Sequence, residues 1–307
     1  MNLTHFSQEI KMRKATLLIV STLLAVLLFT GCFSPRQKNT IVVGAKYYTE
    51  QEILGHVLKF LIEEHTDLSV TVKSSLDSLL AFEGIKSGEI DVYIDYTGTV
   101  YGNYLGIKER RTPTEIYDIC KKELKDRFNL LMLDQIGFNN TYTMSVRKDT
   151  AAKYNLKTIS DLAKVASGLT IGASIESLNR EDSVKGITRV YGFNFKREVA
   201  VESSLRYIAI ENDEIQVTDA FSTDGLTLKY DLVVLEDNLE FFPAYHAAAI
   251  IGQSTADKYP KLLEVLGMLT GTLNDDKMRS LNYRVDVNQE DPPVVARDFL
   301  KEAGLIK

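Results

Sequence analysis

Four histidines are the first candidates for chemistry: His5, His56, His65 and His246. Glu52 and His56 do not form a metalloprotease motif, which needs two histidines flanking a glutamate on one helix face. Neither a Gly-x-Ser-x-Gly nucleophile turn nor a phosphate-cradling glycine loop occurs in the chain. The sequence therefore reads as a binder and not an enzyme, with no metal or cofactor. Its aromatic content is skewed, with 15 tyrosines and no tryptophan. Aromatic rings present negative faces that can hold a cation, each contributing about 0.5–2 kcal/mol.

Compartment is read from the N-terminus. Met12, Arg13 and Lys14 open a basic segment, and a mostly apolar run from Ala15 to Phe29 follows. That run is shorter than the roughly 20 residues a bilayer span needs, and it reads as a secretory signal. The segment Met1 to Lys11 does not resemble a signal, and Met12 is an alternative start. Thr30-Gly31 before Cys32 resembles the lipobox of bacterial lipoproteins, with Phe29 where leucine is usual. That resemblance implies cleavage after residue 31 and a lipid on the Cys32 sulfur, leaving the rest of the chain outside the cytoplasm. The uncleaved alternative is an anchor helix. Cys120, the only other cysteine, lies in an apolar helical pattern and reads as a buried, inert thiol.

Net charge is −6 for the whole chain. Loss of residues 1–31 removes Lys11, Arg13, Lys14 and Glu9 and leaves the remainder near −8. An acidic balance argues against nucleic acid as a partner and is compatible with a cationic ligand.

The elements that must position a site alternate along the chain. After a polar tether at 32–39, Thr40–Ala45 reads as a strand, and Thr49-Glu50-Gln51-Glu52 as a capping box. The helix that follows carries Ile53, Leu54, Val57, Leu58, Leu61 and Ile62 on one stripe. Leu68–Val72 and Ile90–Ile94 read as strands flanking a helix, and Thr112-Pro113-Thr114-Glu115 opens another helix. Leu169–Ala173, Glu198–Val201, Ile215–Phe221, Asp231–Leu235 and Ala247–Ile251 are further strands, with helical patterns between them. The last 55 or so residues read as mostly helical, with Pro292-Pro293 starting the final helix. This alternation implies an α/β architecture with largely parallel sheets and a ligand at the carboxyl ends of strands.

The segment Gly44-Ala45-Lys46-Tyr47-Tyr48-Thr49-Glu50-Gln51 resembles the substrate-binding subunits of osmoprotectant ABC importers, which bind glycine betaine, choline, carnitine or proline betaine. Further matches follow in order. They are Ser87–Asp91, Asp95–Thr99, Gly137–Tyr142, Thr158–Leu162, Asn179–Asp182, Arg206–Asn212, Asp219–Gly225, Phe241–Tyr245 and Leu281–Tyr283, and together they span residues 40–304. The resemblance implies a two-lobed periplasmic-binding-protein-like fold of type II with the ligand in the interlobe cleft. Lobe one would be 40–144 plus 246–307 and lobe two 145–245, with Thr141–Val146 and His246–Ile251 as the hinge strands.

The resemblance also implies a tyrosine cage at Tyr96, Tyr207 and Tyr245, with Tyr117 as a fourth ring. It implies contacts to a ligand carboxylate from Lys46, Thr99 and Arg180, and pocket-lining roles for Asn140 and Thr223. One stretch departs from the family. Ser75-Leu76-Asp77-Ser78 stands where relatives often have a Gly-Gly-Thr turn, and Tyr47 and Tyr48 add bulk near the mouth. Asp77 would then face a cation or hydroxyl, favouring a ligand such as choline, or serve as a helix cap. Some relatives bind ergothioneine, a trimethylammonium betaine with a thione ring, which stands as the alternative ligand. The implied partners are a permease and an ATPase on separate chains. A sensor domain shares the same pocket, whereas a structural surface lipoprotein would need no tyrosines at strand ends.

Overall fold

The structure is a computed structural model that describes residues 39–307, apart from 180, 182, 203 and 204. The signal segment, Cys32, all of the tether but Asn39, and Arg180 lie outside the described residues. Residues Ile41–Lys307 gather into one unit by their contacts.

Ten strands form two five-stranded sheets. The first contains β1 (Thr40–Lys46), β2 (Ser69–Leu76), β3 (Val92–Tyr96), β4 (Leu130–Asn139) and β10 (His246–Gly252), in the order β2-β1-β3-β10-β4. The second contains β5 (Tyr142–Arg147), β6 (Thr170–Ala173), β7 (Arg197–Ala200), β8 (Val217–Phe221) and β9 (Leu232–Leu235), in the order β7-β6-β8-β5-β9. The sheets are mixed. β1 pairs β3, and β6 pairs both β7 and β8, in parallel. β10 runs antiparallel to β3 and β4, and β5 antiparallel to β8 and β9. The antiparallel members are those next to the points where the chain passes between sheets. The passage takes place within 140–141 and 236–245, so β5 belongs wholly to the second sheet and β10 wholly to the first.

Helix α1 (Thr49–His65) lays its apolar stripe on the first sheet, and Ile53, Val57, Leu58, Leu61 and Ile62 are fully buried there. Burial of each such side chain stabilises the fold by about 1.5–3 kcal/mol. Helices α5 (Asp275–Asp286) and α6 (Pro292–Glu302) complete that layer. Helices α2 (Ser78–Ser87) and α3 (Pro113–Phe128) cover the opposite face. The second sheet has its own core around Met144, Val146, Ile171, Ile187 and Val217, and α4 (Leu205–Glu211) packs on it.

One expectation from the sequence changes here, and one strand is added. Thr49–Glu52 is not a capping box. Tyr48 holds the cap position without a side-chain bond, the Thr49 hydroxyl donates to Asp286 at 2.5 Å, and Glu52 accepts from Ser74. The box at Thr112 and Glu115 does form. β4 was not anticipated, because its residue alternation is broken. Its register against β10 shifts twice, and Gly137 has φ +121 with no room for a side chain beside the Leu273 carbonyl. Cys120 is buried as expected, donating to the Thr97 carbonyl, and burial pushes its thiol up to about 12.

Candidate functional site

The strand ends bring the chemistry together. β1 and β3 are parallel neighbours with Val43 beside Val92 and Gly44 beside Tyr93. The same register carried forward sets Lys46 beside Asp95, just before both strands end. A cavity of about 650 Å³ begins there. Its walls include Lys46, Tyr48, Glu50, Tyr96 and Thr99 after strands of the first sheet, and Ser174, Ser177, Asp219, Phe221, Thr223 and Asp224 from or after strands of the second. Carboxyl ends of parallel strands are where α/β folds place ligands, because helix starts and loops leave an open crevice there.

On the first sheet's side, Lys46 is buried and its ammonium lies 2.5 Å from the equally buried Asp95 carboxylate. Asp95 also accepts from the Tyr104 hydroxyl at 2.9 Å and from the Tyr96 amide at 2.8 Å. The Lys46 ammonium stands over the Tyr96 ring, 5.5 Å from its centre. Tyr96 donates its hydroxyl to Glu50 at 2.5 Å and accepts from Gln51 at 3.0 Å. Among the described residues Glu50 has no cationic partner. It is held by Tyr96, by the Asn140 amide at 2.8 Å and by the Asn282 amide at 3.1 Å. Burial pushes the Glu50 carboxyl above the ordinary glutamate value, opposed by hydrogen bonds from Thr223, Tyr96, Asn140 and Asn282. Burial, reinforced by the Glu50 charge, also holds the Tyr96 phenol well above the ordinary tyrosine value, so it remains a neutral donor.

The second sheet's side repeats this pattern. Arg206 and Tyr207 project from α4, and both are buried. The Tyr207 hydroxyl donates to Asp224, and the ring stacks on Tyr230 with centres 5.7 Å apart. The Arg206 guanidinium stands 5.2 Å from the Tyr207 ring centre. It reaches Asp219 at 3.4 Å and Asp224 at 3.6 Å, and its Nε, although buried, has no partner. Burial raises the Asp219 carboxyl, and the Arg206 charge opposes that rise.

A third aromatic group closes the passage between the sheets. Tyr142 meets Tyr245 edge-on at 6.0 Å and leans on Phe221 at 4.8 Å. The Tyr245 ring lies so close to Gly98 that a side chain there would fall 2.6 Å from it.

Seven of the residues anticipated from sequence therefore line one cavity: Lys46, Tyr96, Thr99, Asn140, Tyr207, Thr223 and Tyr245. Two stand elsewhere. Tyr117 is on α3, where its hydroxyl donates to the Leu133 carbonyl and to Asp134, so its ring cannot complete a cage. Asp77 is the cap of α2 and accepts from the Leu80 amide, the alternative role open to it. Preceding it, Ser75 has φ 62, a conformation glycine adopts more readily, so the turn keeps a glycine-like backbone without the glycine. Arg180 lies outside the described residues.

Sequence reasoning missed Glu50, Asp95, Arg206, Asp219 and Asp224 as site residues, although all five lie inside the quoted motifs. The signal was charge next to an apolar strand end. Among the described residues, Glu50, Asp219, Asp224 and Asp286 on the cavity wall and Asp95 behind Lys46 outnumber Lys46 and Arg206, a balance that suits a cation. Among the described residues no cluster suited to a metal ion occurs, and no helix is long and apolar enough to cross a membrane.

Comparison with known proteins gives consistent results. Residues 39–302 match the family described as the substrate binding domain of ABC-type glycine betaine transport systems. The chain is 36% identical over 298 residues to the ergothioneine transport permease/ergothioneine binding protein EgtU of Helicobacter pylori strain G27, covering 93% of this chain. It spans only 53% of that protein's length. It is 34% identical to the carnitine transport binding protein OpuCC of Listeria monocytogenes, covering 95% of this chain and 97% of that protein. A crystal structure of a glycine betaine/carnitine/choline ABC transporter superimposes with a TM-score of 0.80 at 32% identity, covering 87% of this chain and all of that one.

Proposed function

The chain belongs to the family of substrate-binding domains of ABC-type glycine betaine transport systems, and on that basis we propose that it captures a quaternary ammonium compound for an ABC importer. The observation that carries this reading is the convergence of Tyr96, Tyr207 and Tyr245, drawn from both sheets, on one acidic cavity. Rings from two sides can enclose a trimethylammonium group that no hydrogen bond can hold, and the carboxylate excess adds long-range attraction. Tyr142 and Phe221, which pack with Tyr245, extend the aromatic wall. Lys46, Thr99 and Asn140 are the groups available to a ligand's polar end, with the Arg206 Nε facing it from the second sheet. In this reading the two sheets with their helices act as two lobes that hold the ligand between them, the first boundary falling at 140–141, where the chain passes to β5, and not at 144.

The cavity is large enough for glycine betaine and for larger betaines. About 650 Å³ lies within the range of sites that hold drug-sized molecules, which leaves room for carnitine or for a betaine carrying a ring, as ergothioneine does. Delivery to the importer would follow from a lipid on Cys32, which tethers the domain at the outer membrane face, and from a permease and ATPase carried by separate chains.

Calorimetric titration of residues 33–307 with choline, glycine betaine, carnitine and ergothioneine tests the proposal. One-to-one binding of any of the four is the expected result, and no heat with all four would overturn it. Labelling with a radioactive fatty acid, lost in Cys32→Ala, checks the anchor.

A further inference from the structure

Tyr96 at the end of β3 and Tyr207 on α4, which line the same cavity, share an arrangement that the family membership does not explain. Each has a protein cation above its ring, Lys46 over Tyr96 and Arg206 over Tyr207. A cation already on a ring lowers the ring's negative potential and so opposes binding of a second cation. Each ring is also attached to a carboxylate through its hydroxyl. Tyr96 donates to Glu50, and Tyr207 donates to Asp224. Each cation has a further carboxylate beside it, Asp95 for Lys46 and Asp219 for Arg206. Around each ring there are thus one cation and two carboxylates, a surplus of one negative charge.

We propose that Glu50 and Asp224 are positioning residues of the cage, each fixing a tyrosine through its hydroxyl and restoring the negative potential that Lys46 and Arg206 would otherwise remove. The inference rests on the quaternary-ammonium reading given above. A hydrogen bond from a phenol to an ionised carboxylate is strong and directional, so it sets the ring plane. It also leaves carboxylate charge a few ångströms from the ring edge, in a setting with little water to screen it. Glu50 is suited to this role because it has donors on every side and, among the described residues, no cation of its own. Asp224 has the same relation to Tyr207, with its second oxygen anchored by the Leu226 amide at 3.1 Å.

A purely structural role and an electrostatic one separate when a ligand is compared with its uncharged isostere. Choline and 3,3-dimethylbutan-1-ol differ in having nitrogen or carbon at the branched centre, and glycine betaine and 3,3-dimethylbutanoate differ in the same way. The preference for the charged member of whichever pair the wild type binds is measured by calorimetry in wild type, Glu50→Gln and Asp224→Asn. The expected result is a preference about tenfold smaller in each variant, the isostere's affinity changing much less. Equal losses for both members would show that the carboxylates only hold the fold, and would overturn the inference while leaving the proposed function intact. A wild type that binds no trimethylammonium compound would overturn both. Should the amide variants fail to fold by circular dichroism, Tyr96→Phe decides the matter. It keeps the ring and removes the hydroxyl's links to Glu50 and to the neutral Gln51 amide, and it is expected to lose several-fold of the preference; an unchanged preference overturns the inference.

Discussion

At the scale of single residues, the site depends on which side chains reach the cavity and which are occupied elsewhere. Tyr96 and Tyr207 are buried cavity walls, whereas Tyr117 spends its hydroxyl on the β4 backbone and Asp134. Alanine at Tyr96 or at Tyr207 is expected to weaken binding by about 2- to 30-fold, the worth of one ring, while Tyr117→Ala leaves calorimetric affinity unchanged. Glu50 makes the site sensitive to acid. Its neighbours are Tyr48 and Tyr96, with the Asp95–Lys46 pair behind, and burial holds its carboxyl above the ordinary glutamate value. Binding of a cation needs the ionised form, so affinity is retained above that raised pKa and falls as pH drops through it. Titrations across pH 4 to 8 should therefore weaken before an ordinary glutamate would protonate, and Glu50→Gln should flatten the profile. The contribution to stability has the opposite sign. A carboxyl whose folded pKa is raised favours folding below its unfolded pKa, and that favour is lost as pH rises through the folded value.

At the scale of elements, short junctions do most of the positioning. The turn Thr97-Gly98-Thr99 follows β3 directly, and its threonine hydroxyl at 97 accepts from His246 and donates to the Ala244 carbonyl. This ties the end of β3 to the segment that carries Tyr245. Gly98 leaves just enough space for the Tyr245 ring. Gly98→Ala is expected to displace that ring, lowering affinity and costing about 1–3 kcal/mol of stability by overpacking, measured by urea unfolding. Gly102→Ala, where a side chain meets open space, serves as the matched control and should change neither. The junction at 140–141 has a similar double role. Asn140 donates to Glu50, and the Thr141 amide donates to Ser222, whose hydroxyl in turn donates to the Asn139 carbonyl. One short segment thus links the first sheet, the acidic floor of the cavity and the second sheet.

At the scale of the whole molecule, each sheet has its own apolar core, and polar contacts join their territories beside the Tyr142–Tyr245 ring contact. Arg279 on α5 donates to the Ser222 carbonyl at 2.8 and 2.6 Å, and Asn282 on the same helix donates to the Thr223 carbonyl at 2.8 Å. A ligand that contacts both sides adds a further bridge and binds only the folded chain. Saturation at about 100 times Kd is therefore expected to add about 2.7 kcal/mol, equivalent to a rise of about 5 °C in Tm. Differential scanning calorimetry with and without the tightest ligand checks this, and a compound that binds without raising Tm would not be engaging the folded site.

The sequence by itself determined the alternating α/β pattern, the apolar stripe of α1, the inert Cys120 and the strand-end position of Tyr96, and its motifs singled out Tyr207 and Tyr245. These are properties of local order: periodicity, motif and neighbouring residues are enough to specify them. Tertiary structure decided what each charge does. Lys46 meets Asp95, 49 positions away, only because β1 and β3 pair in one register. Glu50 looked like the second residue of a capping box and became the acceptor for Tyr96, Asn140 and Asn282, because a buried carboxylate takes whatever donors the fold brings to it. β4 stayed hidden because its bulges break the two-residue period, and Tyr117 was misplaced because helical phase alone does not say which side of α3 faces the cavity. Burial and long-range pairing fix the electrostatics of a site, and neither can be read from the order of residues along the chain.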